Sequence, residues 1–345
     1  MAGQEMSKRE QSGPEGVGMG VGSAGRQTEV RMPSRLNQPG ARSRRWGVIL
    51  AGGDGDNLRN LTRSIAGDIR PKQFCPFFSK STLLEQARQR AERSVPAEQL
   101  IFTLTRTHEV FYRGDLQGAL GLRLVQPCDR GTAPAIIYSL LHIAQIEYDA
   151  TIAIFPSDHY YSDENALTAA LESAFGIATS MPRSIVVLAS EASAPEIDYG
   201  WLEIGSRLNE SLFRVRAFHE NPPLPEARWL FHSGALWNTS VMVGHISAFL
   251  QLAGRFLPGV VEILGIKMSA SHREGETRIP DSVYDCFSPS DFSRLVLSPG
   301  AEHLLALRVN GLEWNDLGNP QRVLSALLAR SAELPAWAKT WQAGR

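Results

Sequence analysis

Apolar and β-branched residues gather in short runs at 46–51, 100–104, 151–155 and 184–189, and 122–125, interrupted by Arg123, reads as a further strand. Runs of this length without alternation are the pattern of strands buried on both faces. Between them, 81–93, 108–117, a segment opening at 127–135 and reaching about 146, and 163–179 return their apolar residues at helical spacing. Ser81 or Thr82 is placed to cap the first of these helices. Strands alternating with helices predict an α/β fold with a largely parallel sheet. Ligands in such sheets bind beyond the carboxyl ends of the strands. Both Gly52-Gly53-Asp54-Gly55 and Pro156-Ser157-Asp158-His159 follow strands, so both are expected on one edge, facing one cleft.

The second half is less regular. Strands are expected at 198–204, 213–218, 236–243 and 304–309, a short helix at 225–231, and helices at 245–253, 260–267 and 321 to about 329. The polar stretch 269–281 reads as a loop. Residues 1–44 are rich in Gly, Ser, Gln and Arg, with almost nothing to bury, and are expected to be a disordered tail. They contain no apolar core of a secretory signal. The folded domain is expected at 45–335. A hydrophobic fraction of 43% suffices for a sizeable core, and a net charge of -1 gives no pull toward nucleic acid or a membrane surface. Cys75, Cys128 and Cys286 are too few and too scattered for a disulfide framework or a zinc site, which suits a reducing cytoplasm.

The chemistry begins at 52–55. Glycines directly after a strand let the backbone turn tightly, with N–H groups pointing inward as an anion cradle. Lys72 follows in Arg-Pro-Lys-Gln-Phe. No lysine stands at the P-loop spacing, and Leu58 occupies the place of the third glycine of a dinucleotide fingerprint. The stretch instead resembles L-A-G-G-x-G-T-R-L-x-P-L-x-R followed by P-K-Q, the signature of the sugar-1-phosphate nucleotidyltransferases, and is most similar to the mannose-1-phosphate guanylyltransferase branch. Further blocks keep the family's order. Gly131-Thr132-Ala133-Pro134-Ala135 is similar to N-T-A-P-A, and Phe155-Pro156-Ser157-Asp158-His159 matches P-S-D-H. Tyr199-Gly200-Trp201-Leu202-Glu203 is similar to Y-G-Y-I-E, Trp237-Asn238 to the start of W-N-S-G, and Trp314-Asn315-Asp316-Leu317-Gly318 to W-x-D-V-G.

The resemblance implies a Rossmann-like nucleotide-diphospho-sugar transferase fold, a mixed, mostly parallel central sheet flanked by helices. It implies attack by a sugar-1-phosphate oxygen on the α-phosphate of a nucleoside triphosphate, with GTP and mannose-1-phosphate expected. The nucleophile is already an anion, so alignment and charge neutralisation carry the reaction rather than a base. Lys72 and Asp158 are then expected to be catalytic. Gly52, Gly53, Gly55 and Thr132 would hold the nucleotide, and Tyr199, Gly200, Glu220 and Asn238 the sugar. Asp158 and Asp316 would bind Mg²⁺, whose preference is for hard oxygens, with Asn315 competing for the second place. His159 and the tryptophans 201, 237 and 314 read as structural. A homo-oligomer is left open.

The departures bear on rate. Asp56 and Asn57 stand where the family has Thr-Arg, and Asn221 stands where E-K-P has its lysine. A charge-stabilising arginine is worth about 10³–10⁵ in phosphoryl transfer. A carboxylate about 5 Å from a phosphate costs on the order of 3 kcal/mol at an effective dielectric of about 20. Two readings therefore stand: an active enzyme, or an impaired relative that binds nucleotide or sugar phosphate and acts through a partner.

Overall fold

A computed structural model describes residues 44–266, 272–273, 275–330 and 334–343. The tail expected at 1–44 lies outside the described residues except for Arg44. That residue belongs to the folded body: its carbonyl accepts the Thr151 amide at 2.8 Å, and its guanidinium pairs with Asp149.

The strands, in chain order, are β1 (Arg45–Ala51), β2 (Leu100–Thr105), β3 (Leu122–Gln126), β4 (Thr151–Pro156), β5 (Tyr160–Tyr161), β6 (Ile185–Glu191), β7 (Gly200–Arg207), β8 (Leu212–Glu220), β9 (Leu236–His245), β10 (His272–Arg273), β11 (Glu276–Arg278), β12 (Leu304–Arg308) and β13 (Trp314–Asn315). Eleven form one sheet in the order β10-β11-β3-β2-β1-β4-β9-β6-β12-β8-β7, and β5 with β13 forms a second. The pairs β11–β3, β3–β2, β2–β1, β1–β4 and β6–β12 are parallel, and those made by β9 and β8 are antiparallel. The mixed sheet with a parallel centre is the expected architecture.

Alternate residues of one strand feed opposite faces. Val48 enters the core beneath helices Thr132–Ile146 and Ile246–Phe256, while Ile49 enters the core on the other side. Both faces are covered, so the central strands are continuous apolar runs. A third core lies under the short helix Arg59–Ala66, where Leu58 and Leu61 meet Leu317 and, from the C-terminal helices, Val323 and Ala338. Helix Leu83–Ala91 starts at a capping box, with Thr82 and Glu85 satisfying each other's backbone amides. Helix Glu164–Ser180 starts at Asp163, which caps Asn165 and Ala166.

The stretch 269–281 differs from its expected loop. It contributes β10 and β11, and β11 adds to β3 in parallel. Glu276-Thr277-Arg278 has no apolar run to signal a strand. Backbone pairing to an open edge supplies what the side chains do not. Among the described residues no single helix is long and apolar enough to cross a membrane.

Candidate active site

β1 and β4 run side by side in parallel, with Leu50 opposite Pro156. The turn 52–55 and the loop 157–159 therefore leave the sheet together, on the one edge the sequence predicts. Gly52 has no room for a side chain: a Cβ there would lie 2.4 Å from Gln126 Nε2. Its carbonyl accepts from Thr105 Oγ1 at 2.8 Å. Gln73, next to Lys72, donates to the carbonyls of Ala51 at 3.2 Å and Gly53 at 2.8 Å. The turn is thus shaped by a buried amide on either side. The P-K-Q triplet carried this signal, although only its lysine was assigned a role.

Lys72 is the centre of the arrangement. Its Nζ donates to the backbone carbonyl of Asp316 at 2.6 Å and lies 3.3 Å from Asp158 Oδ2. Asp158 and Asp316, far apart in sequence, thus meet at one ammonium. The β5–β13 pair makes this possible, since Asn315 lies opposite Tyr160 in its ladder. The Asp316 side chain has further partners. Both its oxygens lie 3.2 Å from Arg322 Nη1, and Oδ1 accepts the Gly318 amide at 2.9 Å. Arg322 also donates to Glu196 at 2.6 Å and Asp198 at 3.2 Å, and its guanidinium stacks 4.4 Å from the centre of the Tyr199 ring. No sequence signal singled out Arg322; a helical arginine is ordinarily solvated. Asn315 ends β13, its Oδ1 accepting the Leu317 amide at 2.7 Å.

The side expected to hold the nucleotide is acidic. Asp54 Oδ1 lies 2.9 Å from Nε2 of buried His108. Burial lowers the His108 pKa against the pull of Asp54. Asp56 pairs with Arg59 at 2.5 Å. Asp129 is pushed up, by burial first, with the charges of Asp54 and Asp56 adding. Asn57 brings no cation. Gly131 occupies the family's asparagine position because φ is +81° and a Cβ would lie 2.4 Å from the Ser290 carbonyl. Thr132 is turned to the same segment, donating to Asp291 Oδ2 at 2.9 Å and accepting the Phe292 amide at 2.8 Å.

On the other side, Tyr199, Gly200, Glu220 and Asn238 come together as expected. Gly200 pairs with Glu220 across β7 and β8. A Cβ on Gly200 would lie 2.9 Å from Glu220 Oε2 and 3.3 Å from Asn238 Cβ. Tyr199 is walled by Trp237 and Trp314, at 5.0 and 4.7 Å between ring centres, and Trp201, Trp237 and Trp314 are core residues. Glu220 Oε2 is buried with no hydrogen-bond partner. Burial, reinforced by Asp291 and opposed by Arg294, pushes this carboxyl up to about 7. Asn221, at φ +50°, turns its amide nitrogen to the Asp198 carbonyl at 3.1 Å and Glu220 Oε1 at 3.2 Å. It supplies a hydrogen bond where a lysine would supply charge.

A family model described as nucleotidyl transferase matches residues 46–332. The xanthan biosynthesis protein XanB of Xanthomonas campestris pv. campestris (strain B100) is 29% identical over 279 residues, 79% of this chain and 57% of its own. A protein of Vibrio cholerae serotype O1, described as a putative mannose-1-phosphate guanylyltransferase, is 27% identical over 209 residues, 59% of this chain and 43% of its own. The chain thus spans little more than half the length of such relatives. A solved structure from Thermus thermophilus, described as a mannose-1-phosphate geranyltransferase, superposes with a TM-score of 0.69 at 28% identity, covering 82% of this chain and 79% of that one.

Proposed function

The chain belongs to the nucleotidyl transferase family, and on that premise we propose that it transfers a nucleotidyl group from a nucleoside triphosphate to a sugar-1-phosphate, releasing pyrophosphate. GTP and mannose-1-phosphate are the proposed pair, supported by the description of the Vibrio cholerae relative and by the order of the sequence blocks. One observation carries the proposal: Lys72 Nζ gathers the Asp158 carboxylate and the Asp316 carbonyl directly beside the glycine turn after β1.

The division of labour follows from the geometry. The turn 52–55 offers backbone donors to phosphate oxygens. Lys72 neutralises charge on the transferring phosphate, and Asp158 and Asp316 fix where its ammonium points. Tyr199, Gly200 and Asn238 form a wall against which the sugar is oriented, so that a phosphate oxygen already ionised approaches in line. Mg²⁺ asks little of a protein, one or two carboxylates with water and phosphate completing its shell. Asp158, partly exposed, fits that demand and would hold it; both Asp316 oxygens face the Arg322 guanidinium at 3.2 Å, so Asp316 would join only by giving up that pair. The ion would supply charge neutralisation along the triphosphate.

A second reading, an impaired relative that binds nucleotide or sugar phosphate, is favoured by Asp56, Asn57 and Asn221 together with the carboxylates at 54 and 129. A pyrophosphate-release assay crossing GTP, ATP, UTP and dTTP with mannose-1-phosphate and glucose-1-phosphate separates the two. Turnover with one pair supports the enzyme. Saturable binding without release supports the relative.

A further inference from the structure

Residues 290–298 tie the start of helix Thr132–Ile146 to the end of β8. At the helix, the Ser290 amide donates to the Arg130 carbonyl at 2.9 Å and the Ala133 amide to the Ser290 carbonyl at 3.0 Å. Asp291 then receives the Thr132 hydroxyl on Oδ2 at 2.9 Å and the Arg294 amide on Oδ1 at 2.8 Å. At β8, Ser298 Oγ donates to the Phe218 carbonyl at 2.8 Å, two residues before Glu220. Between these anchors the chain makes a wide turn, in which the Ser298 amide reaches back five residues to the Ser293 carbonyl at 2.8 Å. Turns of this width are rare and recur at functional positions.

Arg294 stands on that turn. It is exposed, and among the described residues its guanidinium makes no hydrogen bond or ion pair. Other cations of the site are taken: Lys72 faces Asp158, Arg59 pairs with Asp56, and Arg322 is held by Asp316. Asp291 is joined to Arg294 through the backbone amide and leaves the guanidinium unpaired. The charge of Arg294 acts on the Glu220 carboxyl, which lies beside Gly200 and Asn238. Position 221, where the family carries its lysine, brings no charge there. The Asn221 amide is turned instead to the Asp198 carbonyl at 3.1 Å and to Glu220 Oε1 at 3.2 Å. A sugar phosphate set against Tyr199, Gly200 and Asn238 brings further negative charge toward a buried carboxyl, so binding it calls for a cation. We propose that Arg294 binds the phosphate of the sugar-1-phosphate, in place of the side chain at 221. The inference rests on the nucleotidyl-transfer reading and names the residue by which this chain holds its acceptor. A guanidinium presents two parallel N–H donors to phosphate oxygens, a fork that an unpaired arginine has free to offer.

Binding is measured apart from turnover. The full chain is titrated calorimetrically with mannose-1-phosphate and with glucose-1-phosphate, in Mg²⁺ and a saturating α,β-methylene analogue of GTP, which cannot transfer its nucleotidyl group. Arg294→Met is expected to weaken binding of the sugar phosphate about 10–100-fold, the range for a hydrogen bond to a charged group. Affinity for the GTP analogue and the melting temperature should stay as in the wild type, because Arg294 is exposed. Asn221→Lys added to Arg294→Met is expected to recover at least part of the loss, since it returns a cation from the family's own position. Unchanged binding in Arg294→Met overturns the proposal, as does an equal loss for the GTP analogue. In the pyrophosphate-release assay Arg294→Met should raise KM for the sugar phosphate and leave kcat nearly unchanged. A fall in kcat at constant KM would put Arg294 at the leaving pyrophosphate and overturn the assignment. A wild type that binds sugar phosphate through Arg294 and releases no pyrophosphate overturns the proposed function and leaves the binding role standing. A wild type that binds neither sugar phosphate overturns both.

Discussion

Restoring the family residues in the altered turn, Asp56→Thr with Asn57→Arg, is expected to raise the pyrophosphate-release rate by about 10²-fold or more, a conservative fraction of what an arginine contributes in phosphoryl transfer. The structure divides that gain unequally. Asp56 and Arg59 are 64% and 53% exposed and lie 2.5 Å apart. A carboxylate about 5 Å from a phosphate costs roughly 1–3 kcal/mol between an effective dielectric of about 80 and about 20. Exposure places Asp56 near the lower figure, and Arg59 offsets part of the rest. Asp56→Thr alone is therefore expected to change the rate by less than about tenfold, since about 1.4 kcal/mol corresponds to tenfold. Asn57→Arg should account for most of the gain, as stabilisation of charge moving onto the leaving pyrophosphate. Melting temperature should hardly move, because an exposed pair is worth about 0–1 kcal/mol. The assay compares the wild type, both single variants and the double variant at equal Mg²⁺ and GTP, with Arg59→Met alongside. A wild type that turns over at an ordinary rate, gains nothing from the restored turn and collapses in Arg59→Met would refute the reasoning. Arg59, reaching across from Asp56, would then be the phosphate cation.

Three further outcomes are expected. Lys72→Met should lower kcat by about 10²–10³-fold, comparable to removing one oxyanion donor, with a steady-state pyrophosphate assay as the check; a change confined to KM would exclude Lys72 from the transition state. Glu220, raised to about 7, binds its proton more tightly folded than unfolded, so its contribution is fully present below the ordinary carboxyl pKa and is lost as pH rises to about 7. Urea unfolding should show up to about 3 kcal/mol less stability at pH 8 than at pH 5 from this group, and Glu220→Gln should flatten the slope. Removing residues 1–43 while keeping Arg44 should leave the melting temperature and GTP binding nearly unchanged, whereas a drop of several degrees would show that the segment packs on the domain.

The sheet and its ligand edge were legible because the buried parallel strands leave unbroken apolar runs. The placement of the turn 52–55, of the loop at Asp158 and of Tyr199, Gly200, Glu220 and Asn238 beside one another followed from the ordered blocks. What sequence did not signal were long-range polar contacts with no local pattern. Gln73 reaching back to Ala51 and Gly53, Arg322 clasping Asp316, and His108 under Asp54 each join positions that no periodicity connects. β11 escaped because edge pairing selects backbone groups and tolerates Glu-Thr-Arg. Gly131 read as a departure from an asparagine motif, and its cause lies in the Ser290 carbonyl, over a hundred residues away.

That last contact bears on the order in which the chain assembles. β11 completes the edge beside β3, Ser290 N–H donates to the Arg130 carbonyl at 2.9 Å and the Ala133 N–H to the Ser290 carbonyl at 3.0 Å. The turn that opens helix Thr132–Ile146 thus receives its partner, Ser290, only after a further run of roughly 160 residues. A growing chain that ends before residue 276 presents β3 as an open edge, the kind of strand that recruits wrong partners. Parallel pairing across such a separation is slow, because loop closure precedes any reward. Co-translational misassembly should therefore concentrate at the β3 edge until residues 276–278 have been added.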